Sequence, residues 1–226
     1  ELLAANFLVP QMRRRIVLIG SLMRKPMAPD PVVYAKECFG VDWNTFDISA
    51  KAAIGDLGAP TVKGKRASYL DIEPSLFAKL MRRSFLDSVS LHEMPRMSKT
   101  DQQFIQHIPP GGNYEDIPDE IATARVLYFK RTGGRTTTYA RLHPDKPSYT
   151  INTYFRRPNV GCNFHYAQPR LITPREAMRF QSFPDYFEVC SCAQDQRNAL
   201  IGNAVPPLLA RAIAWELKKA LIAKED

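Results

Sequence analysis

Three adjacent arginines, Arg13, Arg14 and Arg15, stand directly before a short apolar run at residues 16–19. Each guanidinium is a planar, permanently charged fork of donors, which suits carboxylates, carbonyl oxygens and phosphates. Because alternate residues of an extended segment point to opposite sides, Arg13 and Arg15 would share one side and Arg14 would take the other. Arginines at the entrance of a strand are most often a solvated edge, so this spacing alone assigns them no ligand.

A second basic segment runs from Lys130 to Arg141 and contains no acidic residue. Arginine, threonine and tyrosine side chains surround the pair Gly133–Gly134, and such a segment can follow a groove and offer donors to phosphates and base edges. A basic hairpin without a ligand explains the same residues, so both interpretations stay open at this point. A further basic pair, Arg156 and Arg157, precedes the loop at residues 158–161.

The cysteines and histidines do not have the spacing of a metal site. The four cysteines contain no Cys-x-x-Cys pair and form no ligand-spaced set with the four histidines. We therefore expect no bound metal, and reduced thiols in an intracellular protein. The cysteines concerned are Cys38, Cys162, Cys190 and Cys192.

The elements that would position these groups change along the chain. The unbroken apolar run that ends at Gly20 predicts a strand buried on both faces, as in a parallel sheet. Recurrent prolines and short periodic stretches between residues 22 and 142 predict a small irregular domain, with one helix from Pro74 to about Val89. Residues 148–155 are rich in β-formers and predict a strand.

The last quarter of the chain carries the clearest helix signals. Thr173-Pro174-Arg175-Glu176 is a capping box with proline at the first helical position, so a helix should begin there. A second helix is predicted for residues 193–200 and a final helix from Pro206 onwards. The final helix should pack on a core because apolar residues recur at i+4 along one face. These residues are Leu209, Ile213, Leu217 and Leu221.

Composition limits the classes of function. A chain of 226 residues that is 45% hydrophobic predicts a soluble globular protein of one large or two small domains. It has no run of eighteen apolar residues and no signal-peptide-like start, so we expect no membrane partner and a cytoplasmic location. The net charge of +8, from 31 Lys and Arg against 23 Asp and Glu, favours a polyanionic partner. The chain starts at Glu1, and we expect it to be part of something longer.

Three ordered blocks resemble the bacterial cytosine-5 DNA methyltransferases. Gln11-x-Arg13-x-Arg15 and the apolar run after it are similar to the family's Gln-x-Arg-x-Arg block and its following strand. Residues 170–185, from Arg-Leu-Ile-Thr-Pro-Arg-Glu to Ser-Phe-Pro-Asp, resemble the penultimate motif nearly throughout. Residues 201–207, Ile-Gly-Asn-Ala-Val-Pro-Pro, resemble the last motif. The family's variable target-recognition domain lies between the first two blocks and has about the length found here.

The resemblance implies an α/β fold in two parts. One is the C-terminal fragment of a Rossmann-like methyltransferase domain that depends on S-adenosylmethionine, and the other is a small, irregular, mostly β target-recognition domain. We expect residues 1–22 to end the catalytic core, residues 23–168 to form the target-recognition domain, and residues 169–226 to return to the catalytic domain. The implied partner is double-stranded DNA, and a bacterial restriction–modification system is a further expectation.

The implied chemistry is methyl transfer to carbon 5 of a cytosine that is flipped out of the duplex. In this family a cysteine thiolate adds to carbon 6, and carbon 5 then attacks the sulfonium methyl group. The resemblance implies that Arg13 and Arg15 orient the cytosine, with Arg15 facing its exocyclic oxygen, and that Asn203 and Ala204 line the cofactor pocket. The candidates for DNA contacts are Arg135, Thr136, Tyr139, Arg141, Arg156 and Arg157.

Parts of the family pattern are not found in this sequence. The family's nucleophile lies in a Pro-Cys loop, and none of the cysteines here follows a proline. The Glu-Asn-Val motif and the glycine-rich cofactor turn are also not found. We therefore expect an N-terminal catalytic half, on the same polypeptide or a separate subunit, and no activity from this chain alone. The alternatives are a non-catalytic DNA-recognition subunit or degenerate homologue and, more distantly, an interaction protein without DNA affinity.

Overall fold

The computed structural model describes residues 1–21, 26–82, 86–189 and 193–222. Within these ranges the chain forms α-helices, very short strands and three single 3-10 turns, at Ala4–Phe7, Tyr114–Asp116 and Pro158–Val160. The helices are α1 (Pro31–Phe39), α2 (Ala50–Ile54), α3 (Leu76–Met81), α4 (Lys99–Ile105), α5 (Ala124–Thr132), α6 (Pro174–Phe180), α7 (Gln194–Asn203) and α8 (Pro207–Ile222). Among the described residues, none of the helices combines the length and apolar character that crossing a membrane requires.

The strands form two-stranded pairs that join distant parts of the chain. They are β1 (Leu2–Leu3), β2 (Gln11–Met12), β3 (Arg14–Arg15), β4 (Ala67–Ser68), β5 (Ser88–Val89), β6 (Ala140–Arg141), β7 (Ser148–Tyr149) and β8 (Cys162–Phe164). β1 pairs with β3 and β4 with β5 in antiparallel fashion, whereas β2–β7 and β6–β8 are parallel. The β2–β7 pair brings Gln11 opposite Ser148, so the arginine block lies beside the segment that follows β7.

Two hydrophobic clusters hold these elements together. The larger one contains Phe7, Tyr34, Phe77 and Met178, so it draws on the start, the middle and the end of the chain. The smaller one is built from α4, α5 and β8 and is filled by buried aromatic and aliphatic side chains. Its buried members are Phe104, Ile105, Ile108, Tyr114, Ile117, Val126, Phe164 and Leu171.

The predicted buried strand at residues 16–20 is wrong. In this segment Arg14 and Arg15 pair with another strand, but residues 16–20 have no assigned secondary structure. Ile16 is 78% and Leu18 is 92% exposed. A strand buried on both faces needs neighbouring strands and covering layers, and the described residues provide neither beyond Arg15.

The mixed α/β character of the chain is confirmed, but the predicted mostly β nature of residues 23–168 is wrong. This segment carries α1 to α5, and its strands contain two or three residues each. Each of these helices begins at a side-chain cap, in which an Asp, Ser or Thr oxygen accepts a backbone N–H. The capping residues are Asp30, Ser49, Ser75, Ser98 and Thr123.

The remaining predictions of elements have mixed outcomes. The helices of the last quarter are confirmed, and α6 has the complete capping box between Thr173 and Glu176. The predicted helix from Pro74 to Val89 begins at Leu76 but leaves the helical conformation after Met81; residues 83–85 lie outside the described ranges. The predicted strand at residues 148–155 ends at Tyr149. Its partner β2 also ends there, at Met12, and further on the Asn152 side chain accepts the backbone N–H of Tyr154 at 2.7 Å, where the chain forms a turn.

Candidate functional site

Arg13 lies where three segments of the chain meet. Its side chain is buried, and Nη1 donates to the carbonyl oxygen of Ile151 at 3.0 Å. Its Nη2 donates to the carbonyl oxygens of Gly202 at 2.8 Å and Ala204 at 3.2 Å. Burial and the neighbouring charge of Arg15 lower the pKa of Arg13 to about 10, so the guanidinium is still charged at neutral pH. This arginine is therefore enclosed by backbone carbonyls inside the fold.

Gln11 makes a second buried connection beside Arg13. Its Nε2 donates to the carbonyl oxygen of Phe180 at 3.1 Å, at the end of α6. Its Oε1 accepts the backbone N–H of Ile151 at 2.8 Å. Ile151 is thus held through its N–H by Gln11 and through its carbonyl by Arg13.

The end of α7 carries the two predicted cofactor residues. The side chain of Asn203 is exposed and makes no hydrogen bond to another described residue. The backbone of Ala204 is used inside the fold, since its N–H donates to Ile201 at 3.3 Å and its carbonyl accepts from Arg13. Ala204 also lines a mainly apolar cavity of about 360 Å³. The other lining residues are Met178, Phe183, Phe187, Glu188, Val189, Leu200 and Ile201.

A lattice of buried charges surrounds α6, and Arg179 is at its centre. Arg179 is fully buried and donates to both carboxylate oxygens of Asp185 at 2.6 Å. It also donates to the two oxygens of Asp56 at 3.1 and 3.2 Å and to the carbonyl oxygen of Ala53 at 2.9 Å. Burial alone would lower the pKa of Arg179, but the two carboxylates raise it instead. The arginine therefore joins α6 to the end of α2 and to Asp56 just beyond it, by a network in which each of its donors has a partner.

A second part of the lattice lies at the beginning of α6. Arg170 donates to both oxygens of Glu176, at 2.8 and 2.6 Å, and the backbone N–H of Thr173 donates to the same carboxylate at 2.7 Å. Although burial opposes ionisation, the hydrogen bonds and charge of Arg170 lower the pKa of Glu176 to about 2. The nearby His165 is also buried, and this burial lowers its pKa to about 4. His165 is therefore neutral in the folded protein at neutral pH.

Arg175 ties the same helix to the strand region around β5. Its Nε donates to the carbonyl oxygen of Ser90 at 3.0 Å and its Nη2 to the Ser90 hydroxyl at 3.1 Å. Nη2 also donates to the carbonyl oxygen of Phe187 at 3.0 Å. Residues 170–185 are recognisable by their resemblance to the family, but the buried lattice that they form was not predicted. The sequence does carry a signal for this burial. Ala177, Met178 and Phe180 leave α6 without a wide polar face, so its charged side chains must lie in the interior.

A cleft of about 480 Å³ opens beside the β2–β7 pair. Its lining includes the paired residues Met12 and Tyr149 and also Thr136. Its cationic or titratable lining residues are Arg141, His143 and Lys146, and none of the described residues that line it is acidic. Such a surface favours an anion. His143 and Lys146 were not among the predicted contact residues.

The predicted DNA residues of the basic segment have different environments. Arg135 and Thr136 are exposed, whereas Tyr139 is half-buried with its ring edge on Phe104 at 5.3 Å between centroids. Arg141 is also half-buried. Its Nε donates to the carbonyl oxygen of His165 at 3.0 Å and its Nη1 to that of Ile108 at 2.8 Å, so most of its guanidinium is occupied within the fold.

The predicted pair Arg156 and Arg157 lies on the loop that follows Ile151. Arg156 donates to Asp195 of α7 at 2.9 Å. Arg157 is exposed and stacks its guanidinium over the ring of Tyr154, 5.1 Å from the ring centroid. The contact between Arg156 and Asp195 thus brings this loop next to α7. The loop is separate in sequence from the basic segment that contains Arg135.

Arg15 and Arg14 lie on β3 and differ in their partners. Arg15 is half-buried and donates through Nη1 to the carbonyl oxygen of Arg14 at 2.7 Å. Arg14 is exposed and pairs with Glu1 at 3.5 Å. Arg15 forms no ion pair with a described residue, so its charge is not neutralised within these ranges.

The two described cysteines have the properties of thiols that stay protonated. Cys162 is buried, which raises its pKa to about 12. Burial also raises the pKa of Cys38. Because the thiolate is the nucleophilic form, neither thiol is activated in this arrangement. Cys190 and Cys192 lie outside the described ranges.

Comparison with known families identifies the chain. A family model described as C-5 cytosine-specific DNA methylase matches residues 2–219. The chain belongs to this family. The resemblance noted in the three sequence blocks is thereby confirmed, and it extends over the segments between them.

Several relatives are similar to this cytosine-5 methylase chain. It is 39% identical over 124 residues to the type II methyltransferase M.BbvI of Brevibacillus brevis, which covers 54% of the chain and 31% of the relative. It is 44% identical over 213 residues to a protein of Oceanobacillus iheyensis provisionally named a type II methyltransferase, covering 79% of the chain and 45% of the relative. It is 32% identical over 200 residues to the rice DNA (cytosine-5)-methyltransferase 1A, covering 78% of the chain and 13% of the relative. The chain therefore spans less than half the length of these curated relatives.

A solved structure supports the fold. It is a protein encoded within an E. coli prophage and provisionally described as a DNA modification methyltransferase. The match has a TM-score of 0.54 at 18% identity and covers 98% of this chain and 59% of the other. The likeness confirms the α/β fold expected of a fragment of a Rossmann-like methyltransferase.

Proposed function

We propose that this chain is the target-recognition and C-terminal portion of a DNA (cytosine-5-)-methyltransferase. It would take part in methyl transfer from S-adenosylmethionine to carbon 5 of a flipped cytosine in a specific DNA sequence. The observation that carries this proposal is the junction at Arg13, where the arginine block, the segment after β7 and the last motif meet in a member of this family. We likewise propose the activity and the partners of the whole enzyme, because this chain spans under half the length of its curated relatives.

The end of α7 fits one edge of a site for S-adenosylmethionine. The exposed carboxamide of Asn203 can both donate and accept hydrogen bonds, and the apolar cavity beside Ala204 suits a planar heterocycle. Ala204 would contribute its methyl group, since its N–H and carbonyl already have partners. When bound, the cofactor would supply the methyl group that is transferred.

The acid-free cleft supports DNA as the polyanionic partner. Lys146 and His143 would contact phosphates from inside the cleft, and the exposed Arg135 and Thr136 would extend this surface. The loop that carries Arg156 and Arg157 would supply further contacts. Tyr139 and Arg141 would act mainly by shaping the cleft, although the second Nη of Arg141 has no hydrogen bond to a described residue.

Arg15 is the candidate for contacting the exocyclic oxygen of the cytosine, since its charge is not paired with a described carboxylate. Arg13 would act by positioning, because three carbonyl oxygens enclose it. The nucleophile would come from a Pro-Cys loop of an N-terminal half, because the thiols of Cys38 and Cys162 have raised pKa values. Addition of that thiolate to carbon 6 would make carbon 5 nucleophilic. After methylation, transfer of the carbon 5 proton to a base would re-form the double bond between carbons 5 and 6 and expel the thiolate.

The test combines this chain with a polypeptide that supplies the N-terminal half and measures transfer of labelled methyl groups to duplex DNA. We expect Arg15→Ala to lower the transfer rate by about 100-fold or more, as loss of one charge-stabilising donor does in other enzymes, while DNA affinity changes little. Arg14→Ala is the matched control, because Arg14 is the adjacent exposed arginine and should retain transfer. Equal loss of transfer and of DNA binding in Arg15→Ala would contradict the role of Arg15 in the pocket.

The same experiment separates the alternative. An associated complex that binds DNA but transfers no methyl groups would favour a non-catalytic DNA-recognition subunit or a degenerate homologue. We also propose that residues 1–22 end the catalytic core, that residues 23–168 form the target-recognition domain and that residues 169–226 return to the catalytic domain. We further propose a cytoplasmic location.

A further inference from the structure

From the geometry around Arg13 we infer that this arginine is a positioning residue that couples cofactor binding to DNA binding. It would do so by holding the end of α7 and the loop at residues 151–157 in one fixed relation. The inference rests on the proposed function, because it takes the end of α7 as the cofactor edge and the 151–157 loop as a DNA-facing segment.

The first half of the coupling is a helix cap supplied from a distant part of the chain. The last carbonyl oxygens of an α-helix have no partner within the helix and carry partial negative charge. Arg13 donates to the carbonyl oxygens of Gly202 and Ala204, which flank Asn203. Arg13 therefore fixes the backbone on both sides of Asn203, and with it the direction in which that exposed carboxamide projects.

The second half is the hold on the 151–157 loop. The other arm of Arg13 donates to the carbonyl oxygen of Ile151, where this loop starts. Asn152 then organises the loop, since its Oδ1 accepts from the backbone N–H of Tyr154 and its Nδ2 donates to the carbonyl oxygen of Val160 at 2.6 Å. A shift at Ile151 would therefore move the segment that carries Arg156 and Arg157.

The two segments that Arg13 bridges also touch directly. A Cβ atom added to Gly202 would lie 2.6 Å from backbone atoms of both Asn152 and Thr153, which is closer than van der Waals contact allows. Glycine at this position thus permits α7 and the loop to meet backbone to backbone. With no flexible side chain between them, a displacement of one segment is passed on to the other.

The electrostatics of Arg13 indicate a role beyond stability. It forms no ion pair with a described carboxylate, and its Nε is buried without a hydrogen-bond partner. A buried cation that lacks a counter-charge is an unfavourable way to hold a fold together. Arg13→Met leaves three carbonyl oxygens without this donor, which destabilises the fold, so circular dichroism must first show that the variant is folded. If it is not, Arg13→Lys takes its place, and its ratio should fall part of the way towards one.

The experiment measures the dissociation constant of S-adenosylhomocysteine by titration calorimetry, with and without a duplex containing the target site. It uses the enzyme completed by its N-terminal half. Coupled sites typically change each other's affinity about fivefold or more, so we expect at least that ratio in the parent enzyme. In Arg13→Met the ratio should fall to near one, and Arg13→Lys should restore part of it because an ammonium group can still donate to some of the carbonyls.

Two variants separate coupling from general damage. Tyr34→Phe removes an equally buried donor to a backbone carbonyl, that of Leu208 at 2.8 Å, but it contacts neither Ile151 nor Gly202 and Ala204, so its ratio should stay at the parent value. Gly202→Ala forces α7 away from the loop while Arg13 stays in place, so its ratio should fall. An unchanged ratio in Arg13→Met, or an equal fall in Tyr34→Phe, would overturn the inference.

The parent enzyme distinguishes a failure of this inference from a failure of the proposed function. If it transfers methyl groups but shows a ratio near one, the inference is overturned and the proposed function stands. If it shows the expected ratio and the Arg13-dependent fall without any methyl transfer, the proposed catalytic function fails and the coupling role stands.

Discussion

The α6 region and the cleft beside the β2–β7 pair use positive charge in opposite ways. Around α6 the guanidinium groups of Arg170 and Arg179 are buried, and each makes bidentate contact with a carboxylate. In the cleft, His143 and Lys146 stand on a solvent-accessible wall whose described lining residues include no acid. The basic residues of the chain therefore include a buried group around α6 that is paired with carboxylates and a group in the cleft that is not.

The difference follows from the cost of removing a charge from water. A buried ion is tolerated only where partners replace its hydration, so each arginine near α6 specifies which carboxylates and carbonyls must lie around it. A surface cation adds little to stability but raises the local potential, which attracts an anion. The α6 region thus determines structure, whereas the cleft is available for a ligand.

The largest effect is expected from breaking the α6 lattice. Arg179→Met would leave Asp56 and Asp185 buried without their shared cation, since both carboxylates are at most 3% exposed. Loss of one partner from such a buried network lowers the free energy of unfolding by about 3–5 kcal/mol. Urea unfolding followed by circular dichroism measures this change.

Lys79→Met is the control for that prediction. Lys79 pairs with Glu73 at the surface, and an exposed pair contributes about 1 kcal/mol or less. Similar losses from the two substitutions would contradict the distinction between paired interior charge and solvated surface charge.

An intermediate effect is expected from acid, through His165 and Glu176. The folded pKa of His165 is about 4, below its ordinary 6.5, so between these values the unfolded chain binds a proton that the folded chain does not. The free energy of unfolding is therefore highest above pH 6.5 and falls by up to about 3 kcal/mol as the pH drops to 4. Glu176, with a folded pKa of about 2 against an ordinary 4.5, causes a further fall between those two values.

His165→Asn tests which group is responsible for the upper window. The asparagine oxygen can replace Nδ1, which accepts the backbone N–H groups of Ala167 and Gln168 at 3.0 and 3.1 Å. Thermal unfolding between pH 7 and 4.5 should then depend less on pH. A variant whose stability still falls steeply in this range would show that another group causes the upper loss.

The same contrast explains which features could be predicted from the sequence. The α6 capping box links residues three positions apart, and α8 starts at a proline, so local signals were sufficient for both. The strand predicted after Arg15 was wrong because a strand depends on partners that its own residues do not encode. In residues 23–168, isolated caps such as Ser49 and Ser98 start helices too short to give a clear apolar period.

The family resemblance predicted some residues of the candidate site, which remain a prediction, but none of the contacts between them. The arginine block and the last motif were found by their resemblance to a family. The hydrogen bonds that join them connect Arg13 to residues 138 and 189 positions away, and no periodicity encodes such contacts. The cleft was missed for the same reason, because Met12, Thr136 and Lys146 meet only through the parallel pairing of β2 with β7 and of β6 with β8.

The smallest effect is expected from Lys146→Gln in the cleft. A lysine that contacts a phosphate releases about one counterion on binding, so its removal should reduce the slope of log affinity against log salt by about 1. Fluorescence anisotropy with duplexes of different sequence should show weakening of similar size for all of them, since phosphates carry no sequence information. Lys63→Gln is the matched control, because Lys63 is exposed and does not line the cleft. If both substitutions change the slope equally, the basic surface attracts DNA diffusely; if only Lys146→Gln does, the unpaired charge of the cleft is the specific counterpart of the paired charge around α6.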